Sequence, residues 1–229
     1  MVPEGRARSQ RIRRSPFAVP PRSGLICQDG VEPSIGKIFM RSFVTAILLL
    51  TASTVMAADM GQIPAYPRIS IETSAGTIEL ELDGRRAPIT VVNFLRYISE
   101  GAYDGSVFHR VIPGFMAQAG GYNSEFEQLP SRGAIPNESG NGLRNERGTI
   151  AMARTADPHS GTRQFYINLE DNPSLDPRGS GWGYAVFGQV LEGMDVLDKI
   201  AAIPTGPGGP FPGDVPQSTV TIETISVAE

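Results

Sequence analysis

The chain has 229 residues, 40% hydrophobic and 19% charged, with 26 glycines, 19 prolines, one cysteine and a formal net charge of −4. That suits one strand-and-turn domain with a tail, and excludes bulk disorder, a collagen repeat and a helical bundle. Residues 1–39 hold seven basic against three acidic residues, but from Asp59 onward 12 basic face 21 acidic, a body that repels phosphate backbones and excludes nucleic acid as partner.

Residues 1–39 are rich in arginine and proline and lack periodicity, so they read as a non-native or disordered extension. Residues 40–58, MRSFVTAILLLTASTVMAA, set Met40 and Arg41 before an apolar run from Phe43 to Leu50, followed by small residues. This is the layout of a cleaved secretory signal, with an uncleaved anchor as the alternative. The run is short for a membrane span. Met40 is then the expected start, the mature chain begins at Ala58 or Asp59, and no membrane contact is expected after cleavage. Cys27 lies ahead of that cut, so the mature chain needs no disulfide.

Residues 59–67 form a short leader to a domain spanning 68–229. Arg68–Thr73 and Thr77–Leu82 alternate apolar and polar around Ser74-Ala75-Gly76, the pattern of a hairpin. Glu79 and Glu81 fall on its solvated side. Pro88 opens a helix with Val91, Val92, Phe94, Leu95 and Ile98 on one face, and Gly101 closes it. A turn-rich loop runs from Gly120 to Gly148, and loops of that length are usually functional. Thr149–Ala153, Gln164–Asn168 and Ala185–Val190 read as strands, Gly193–Ile200 as a second helix, and Thr219–Ser226 as a last strand. Gly206–Gly213 reads as a loop. Many antiparallel strands with two helices predict a closed eight-stranded antiparallel barrel capped by the helices.

Two histidines and no mature cysteine are too few for a zinc site. No phosphate loop and no Gly-x-Ser-x-Gly elbow is present. No metal and no cofactor are expected. His109 reads as a packing or hydrogen-bonding residue, His159 as a loop histidine and Arg163 as a solvated loop charge.

The segment Val107–Gly121 is different, because Arg110 sits in an otherwise apolar strand-turn-strand. A three-residue loop, Pro113-Gly114-Phe115, pairs Ile112 with Met116 and Arg110 with Gln118, whereas a two-residue turn would put Arg110 and Gln118 on opposite faces. On the first register Gln118 can hold the Arg110 fork over apolar walls. A fixed donor beside apolar walls, without nucleophile or acid–base pair, suits rotation about a prolyl amide. That rotation is opposed by about 18–20 kcal/mol of resonance. The twisted nitrogen regains a lone pair, so a donor aimed there stabilises the transition state alone.

At this point the sequence resembles the cyclophilins, a family of peptidyl-prolyl cis-trans isomerases. The resemblance spans about residues 68–227 and rests on FHRVIPGFMAQAGG (108–121), GTIAMAR (148–154), GTRQFYIN (161–168), YAVFGQV (184–190) and EGMDVLDKI (192–200). It implies the eight-stranded barrel with two helices, and Arg110 as the catalytic arginine, oriented by Gln118. Phe115 and Met116 line the proline pocket, Ala153 and Arg154 lie beside the groove, Gln164 meets substrate backbone, and Leu175 continues the wall. Arg154 and Tyr184 look like the bacterial branch, where many eukaryotic members have asparagine and histidine. Tyr166 departs from the usual phenylalanine at the pocket floor, and Ser174 stands where drug-sensitive members have tryptophan. The implied substrates are proline-containing unfolded or exported polypeptides, and with the signal layout the implied compartment is a bacterial periplasm. A monomer is expected. A non-catalytic chaperone or adaptor module that holds proline-containing loops is the second reading. A ligand-binding barrel is the third, disfavoured by the bulky inward residues of the strands.

Overall fold

The structure is a computed structural model that describes residues 64–228. The extension and the signal-like segment therefore lie outside the described residues, as does most of the leader.

Among the described residues ten strands and two helices follow one another: β1 (Arg68–Thr73), β2 (Gly76–Leu82), α1 (Pro88–Ser99), β3 (Arg110–Ile112), β4 (Met116–Ala119), β5 (Thr149–Met152), β6 (Phe165–Asn168), β7 (Val186–Glu192), α2 (Met194–Ala201), β8 (Thr205–Gly208), β9 (Phe211–Pro216) and β10 (Ile222–Val227). A single 3-10 turn, Ser139–Asn141, interrupts the long loop. Eight strands form one antiparallel sheet in the order β10-β1-β2-β7-β5-β6-β4-β3.

The sheet is an open half-barrel, which corrects the closed barrel expected from the strand count. Its end strands β10 and β3 do not pair as strands. One isolated bridge, Val107–Thr221, links their neighbourhoods. Beside it Phe108 N–H reaches Val220 O at 3.0 Å and Ile222 N–H reaches Ser106 O at 2.7 Å. β3 has only three residues, too few for a continuous ladder, and β9 lies against it. β8 and β9 form a separate hairpin, a second correction, because Gly206–Gly213 was read as a loop. Glycine and proline are depleted in strands, and a bulge between Gly206 and Gly208 breaks the pattern further.

The alternation of β1 and β2 holds: Ile69, Ile71, Ile78, Leu80 and Leu82 are fully buried. The buried face of α1 is turned from the expected one. Thr90, Val91, Asn93, Phe94, Tyr97 and Ile98 go inward, while Val92 and Leu95 are only partly covered. No side chain of its own caps α1. Glu138, in the long loop, supplies the cap by accepting Ile89 N–H at 3.1 Å, Thr90 N–H at 2.8 Å and the Thr90 hydroxyl at 2.7 Å. A carboxylate there satisfies orphan donors and complements the helix dipole. Gly193 opens α2 at φ +96°, where an added Cβ would sit 2.6 Å from Thr77 O.

Phe94 contacts the Tyr103, Phe165 and Phe187 rings at 5.1 to 5.4 Å at the centre of the core. Arg163 belongs to this interior and is not the solvated loop charge expected. It is 2% exposed, lies beneath the rings of Tyr97 and Tyr103, and donates to the carbonyls of Pro130 and Ala102. Its charge is tolerated because backbone oxygens and π faces replace water.

Candidate active site

A strand sends successive side chains to opposite faces of its sheet. On β4, Ala117 and Ala119 join the main core while Met116 joins a second, smaller apolar cluster on the other face. On β5, Ile150 and Met152 go to the core and Ala151 to the second cluster; on β6, Phe165 and Ile167 go to the core and Tyr166 to the second cluster. Val186 on β7 adds to that cluster, and Ile112, Phe115, Leu143, Ala153, Leu175 and Tyr184 pack around it.

The β3–β4 hairpin has the register read from the sequence. Arg110 pairs with Gln118, Val111 with Ala117 and Ile112 with Met116. The turn closes with Phe115 N–H on Ile112 O at 3.0 Å, and Gly114 takes φ +69°, as the third position of a type II turn requires. Phe115 O then accepts Leu169 N–H at 2.9 Å and the Asn172 amide at 2.8 Å, which ties the pocket lip to the loop that carries Leu175.

Arg110, Phe115, Met116, Gln118, Ala153, Arg154, Tyr166, Leu175 and Tyr184 line one cavity of about 120 Å³. Nine of the ten site residues expected from the sequence therefore meet. The tenth, Gln164, lines an adjoining cavity of about 360 Å³ that shares Gln118, Ala153 and Arg154. Among the described residues no group of three or more His, Cys, Asp or Glu side chains could hold a metal ion.

The hydrogen bonds differ from expectation at one point. Gln118 does not hold Arg110. Its amide donates to Gln164 Oε1 at 2.8 Å, and Arg110 Nε donates to Asp214 Oδ2 at 3.3 Å. Asp214 lies on the unforeseen β9, so a partner 104 positions away had no local signal. Gln164 takes its place over Gly121, where an added Cβ would sit 2.4 Å from the Gln164 side chain.

Arg154 spends its donors on backbone. It bonds Gly183 O at 3.1 Å, Thr155 O at 2.9 Å and Trp182 O at 2.9 Å, with its guanidinium 4.4 Å from the Tyr184 ring centroid. It thus holds the wall that carries Tyr184. Tyr166, nearly fully buried, meets Tyr184 edge to face at 5.8 Å. Its hydroxyl donates to Asn145 Oδ1 at 2.7 Å, and burial pushes its pKa well above the ordinary tyrosine value. Asn145 is itself fixed by Asp176 Oδ1, which accepts its N–H at 2.8 Å and its amide at 3.0 Å.

His109, next to Arg110 and buried, is a packing residue. It stacks at 4.8 Å on Tyr122 and 5.5 Å on Phe211, and burial lowers its pKa to about 4. His159 is exposed and accepts Asn137 N–H at Nδ1 at 3.1 Å. The lone tryptophan, Trp182, is half-exposed, meets His159 edge to face at 4.9 Å and does not line the cavity.

Residues 68–227 match the family model described as cyclophilin type peptidyl-prolyl cis-trans isomerase/CLD. The chain is 43% identical over 193 residues to peptidyl-prolyl cis-trans isomerase A of Dickeya dadantii, covering 84% of this chain and 98% of that one. It is 48% identical over 164 residues to peptidyl-prolyl cis-trans isomerase B of Escherichia coli, covering 70% and 99%. A crystal structure of a cyclophilin type isomerase from Cryptosporidium parvum superposes with a TM-score of 0.58 at 23% identity, covering 72% of this chain and 98% of that one, a likeness of fold. By sequence and architecture, the chain belongs to the cyclophilin-type peptidyl-prolyl cis-trans isomerases.

Proposed function

We propose that the isomerase acts by electrostatic stabilisation of a twisted X-Pro amide, with Arg110 as the donor and the apolar cavity as the proline site. The observation that carries this reading is the Arg110 guanidinium lining a cavity otherwise walled by Phe115, Met116, Tyr166, Leu175 and Tyr184. An apolar pocket seats the pyrrolidine ring and disfavours the more polar planar amide. The guanidinium donates to the nitrogen lone pair that exists only when the amide is twisted, so its effect falls on rate more than on affinity. Uncatalysed exchange takes tens to hundreds of seconds. Reaching milliseconds requires removal of about 6–7 kcal/mol. One charged hydrogen bond supplies about 1.5–3 kcal/mol of that. Desolvation and binding supply the rest. Gln118 and Gln164, joined to each other, offer polar groups to the substrate backbone beside the pocket.

Arg110→Ala is the test. It should lower turnover on a proline-containing peptide a hundredfold or more, with peptide affinity and fold little changed. Wild-type turnover in that variant would overturn the mechanism. Tyr166, the one departure that favours a non-catalytic binding module, lines the pocket with its hydroxyl bonded to Asn145, which is compatible with catalysis.

The substrates are proline-containing polypeptides, and we infer further that they are exported ones. The signal layout of residues 40–58 supports this. N-terminal sequencing of protein recovered from the periplasm should begin at Ala58 or Asp59. Recovery with residues 1–39 attached would contradict it.

A further inference from the structure

The residue that holds Arg110 comes from the hairpin that stands outside the main sheet. β9 is anchored by Phe211, whose ring meets His109 at 5.5 Å, Tyr122 at 5.0 Å and Phe126 at 6.3 Å. Three residues on, Asp214 points its carboxylate at Arg110, with Oδ2 3.3 Å from Nε. Among the described residues this is the only hydrogen bond of the Arg110 guanidinium. It engages Nε, the inner edge of the fork, and leaves both terminal nitrogens free for the pocket.

Two features argue that this contact serves chemistry rather than stability. First, Asp214 is one of two non-glycine residues at positive φ among the described residues, at +64°. A left-handed backbone is disfavoured for a residue with a Cβ, and such strain persists where the surroundings or a function require it. Second, the ion pair is open to water, with side chains 40% and 45% exposed, and pairs of that kind add little to stability. A strained backbone that aims a carboxylate at a weakly stabilising partner makes sense if the partner's orientation is what matters.

We propose that Asp214 is the positioning residue of Arg110: it fixes the guanidinium so that its terminal N–H groups face the prolyl nitrogen, the role the sequence assigns to Gln118. This rests on the reading of Arg110 as the transition-state donor. Without the carboxylate the arginine samples several rotamers, and only a fraction of encounters present a donor to the twisted amide.

Asp214→Asn keeps the shape and tolerates the left-handed backbone but removes the charge. Asp214→Gly removes the backbone strain as well. With kcat and KM separated by exchange NMR on a proline-containing peptide, both variants should lose about tenfold in kcat. KM should stay within about twofold, because the contact orients the donor and does not touch substrate. The melting temperature should hold in Asp214→Asn and hold or rise in Asp214→Gly, whereas a structural role would lower stability and turnover together. In an Arg110→Ala background, Asp214→Asn should have no further effect, since nothing remains to be positioned. If Arg110→Ala is crippled but Asp214→Asn keeps wild-type kcat, the positioning role is wrong and the Arg110 mechanism stands. An equal loss from Asp214→Asn in both backgrounds would also overturn it. Wild-type turnover in Arg110→Ala would remove both.

Discussion

Tyr166 shows how a departure from family pattern is absorbed by one hydrogen bond. A hydroxyl at the floor of an apolar pocket would wet the proline site, but Asn145, held by Asp176, takes it from the far side. Tyr166→Phe should therefore leave kcat/KM within about twofold of wild type. It should lower unfolding stability by about 1 kcal/mol, the usual worth of a buried neutral hydrogen bond. Urea denaturation and a peptide assay check both halves, and a tenfold change in turnover would mean that the hydroxyl reaches substrate. The place of Met116 beside Arg110 and Gln118 was legible from the hairpin register, because period two dictates which side chains share a face, whereas the other walls were legible only through the family resemblance. The polar pairings were not. Gln118 could be placed opposite Arg110, but its choice of Gln164 depends on a residue 46 positions away, just ahead of β6, and Arg163 is buried because Tyr97, Tyr103 and the carbonyls of Pro130 and Ala102 converge on it.

At the scale of elements, the β8–β9 hairpin is the piece that local sequence hid. Thr205-Gly206-Pro207-Gly208 reads as a breaker run, and it becomes a strand through pairing with Phe211–Pro216 and docking on β3. The docking surface includes His109, fully covered between Tyr122 and Phe211. Burial lowers its pKa from 6.5 to about 4. Between those values the unfolded chain binds a proton that the folded one refuses, so stability is full above pH 6.5 and is lost as the pH falls toward 4. The loss from this group is on the order of 3 kcal/mol. Urea unfolding at pH 7 and pH 4.5 should show a smaller acid loss in His109→Gln than in wild type, and equal losses would contradict the assignment. β1, β2, α1, α2 and β10 were readable because each repeats one period over six or more residues. The long loop from Gly120 to Gly148 was seen as a unit, but its structural work was not. Asn137 bonds Pro158 O and Gly183 O at 3.0 Å each, and Asn141 bonds Val186 O at 2.9 Å. Such single side-chain bonds leave no periodic trace.

For the molecule as a whole, strand number was a good guide to class and a poor one to closure. Alternation tells which face of a strand is buried but not whether the first and last strands meet, and here a three-residue β3 leaves them joined by one bridge. The feature with the widest consequence is the sharing of β4, β5 and β6 between a core on one face and the apolar cluster of the candidate pocket on the other. Adjacent residues on these strands answer to separate demands: Ala117, Ile150 and Ile167 to cohesion, Met116 and Tyr166 to the pocket wall, with Ala151 fully buried in the same apolar cluster. The pocket can then drift toward new peptide preferences one position at a time while the interior stays as it is. The pleat thus separates positions where a substitution reshapes the pocket from neighbours where it disturbs the interior.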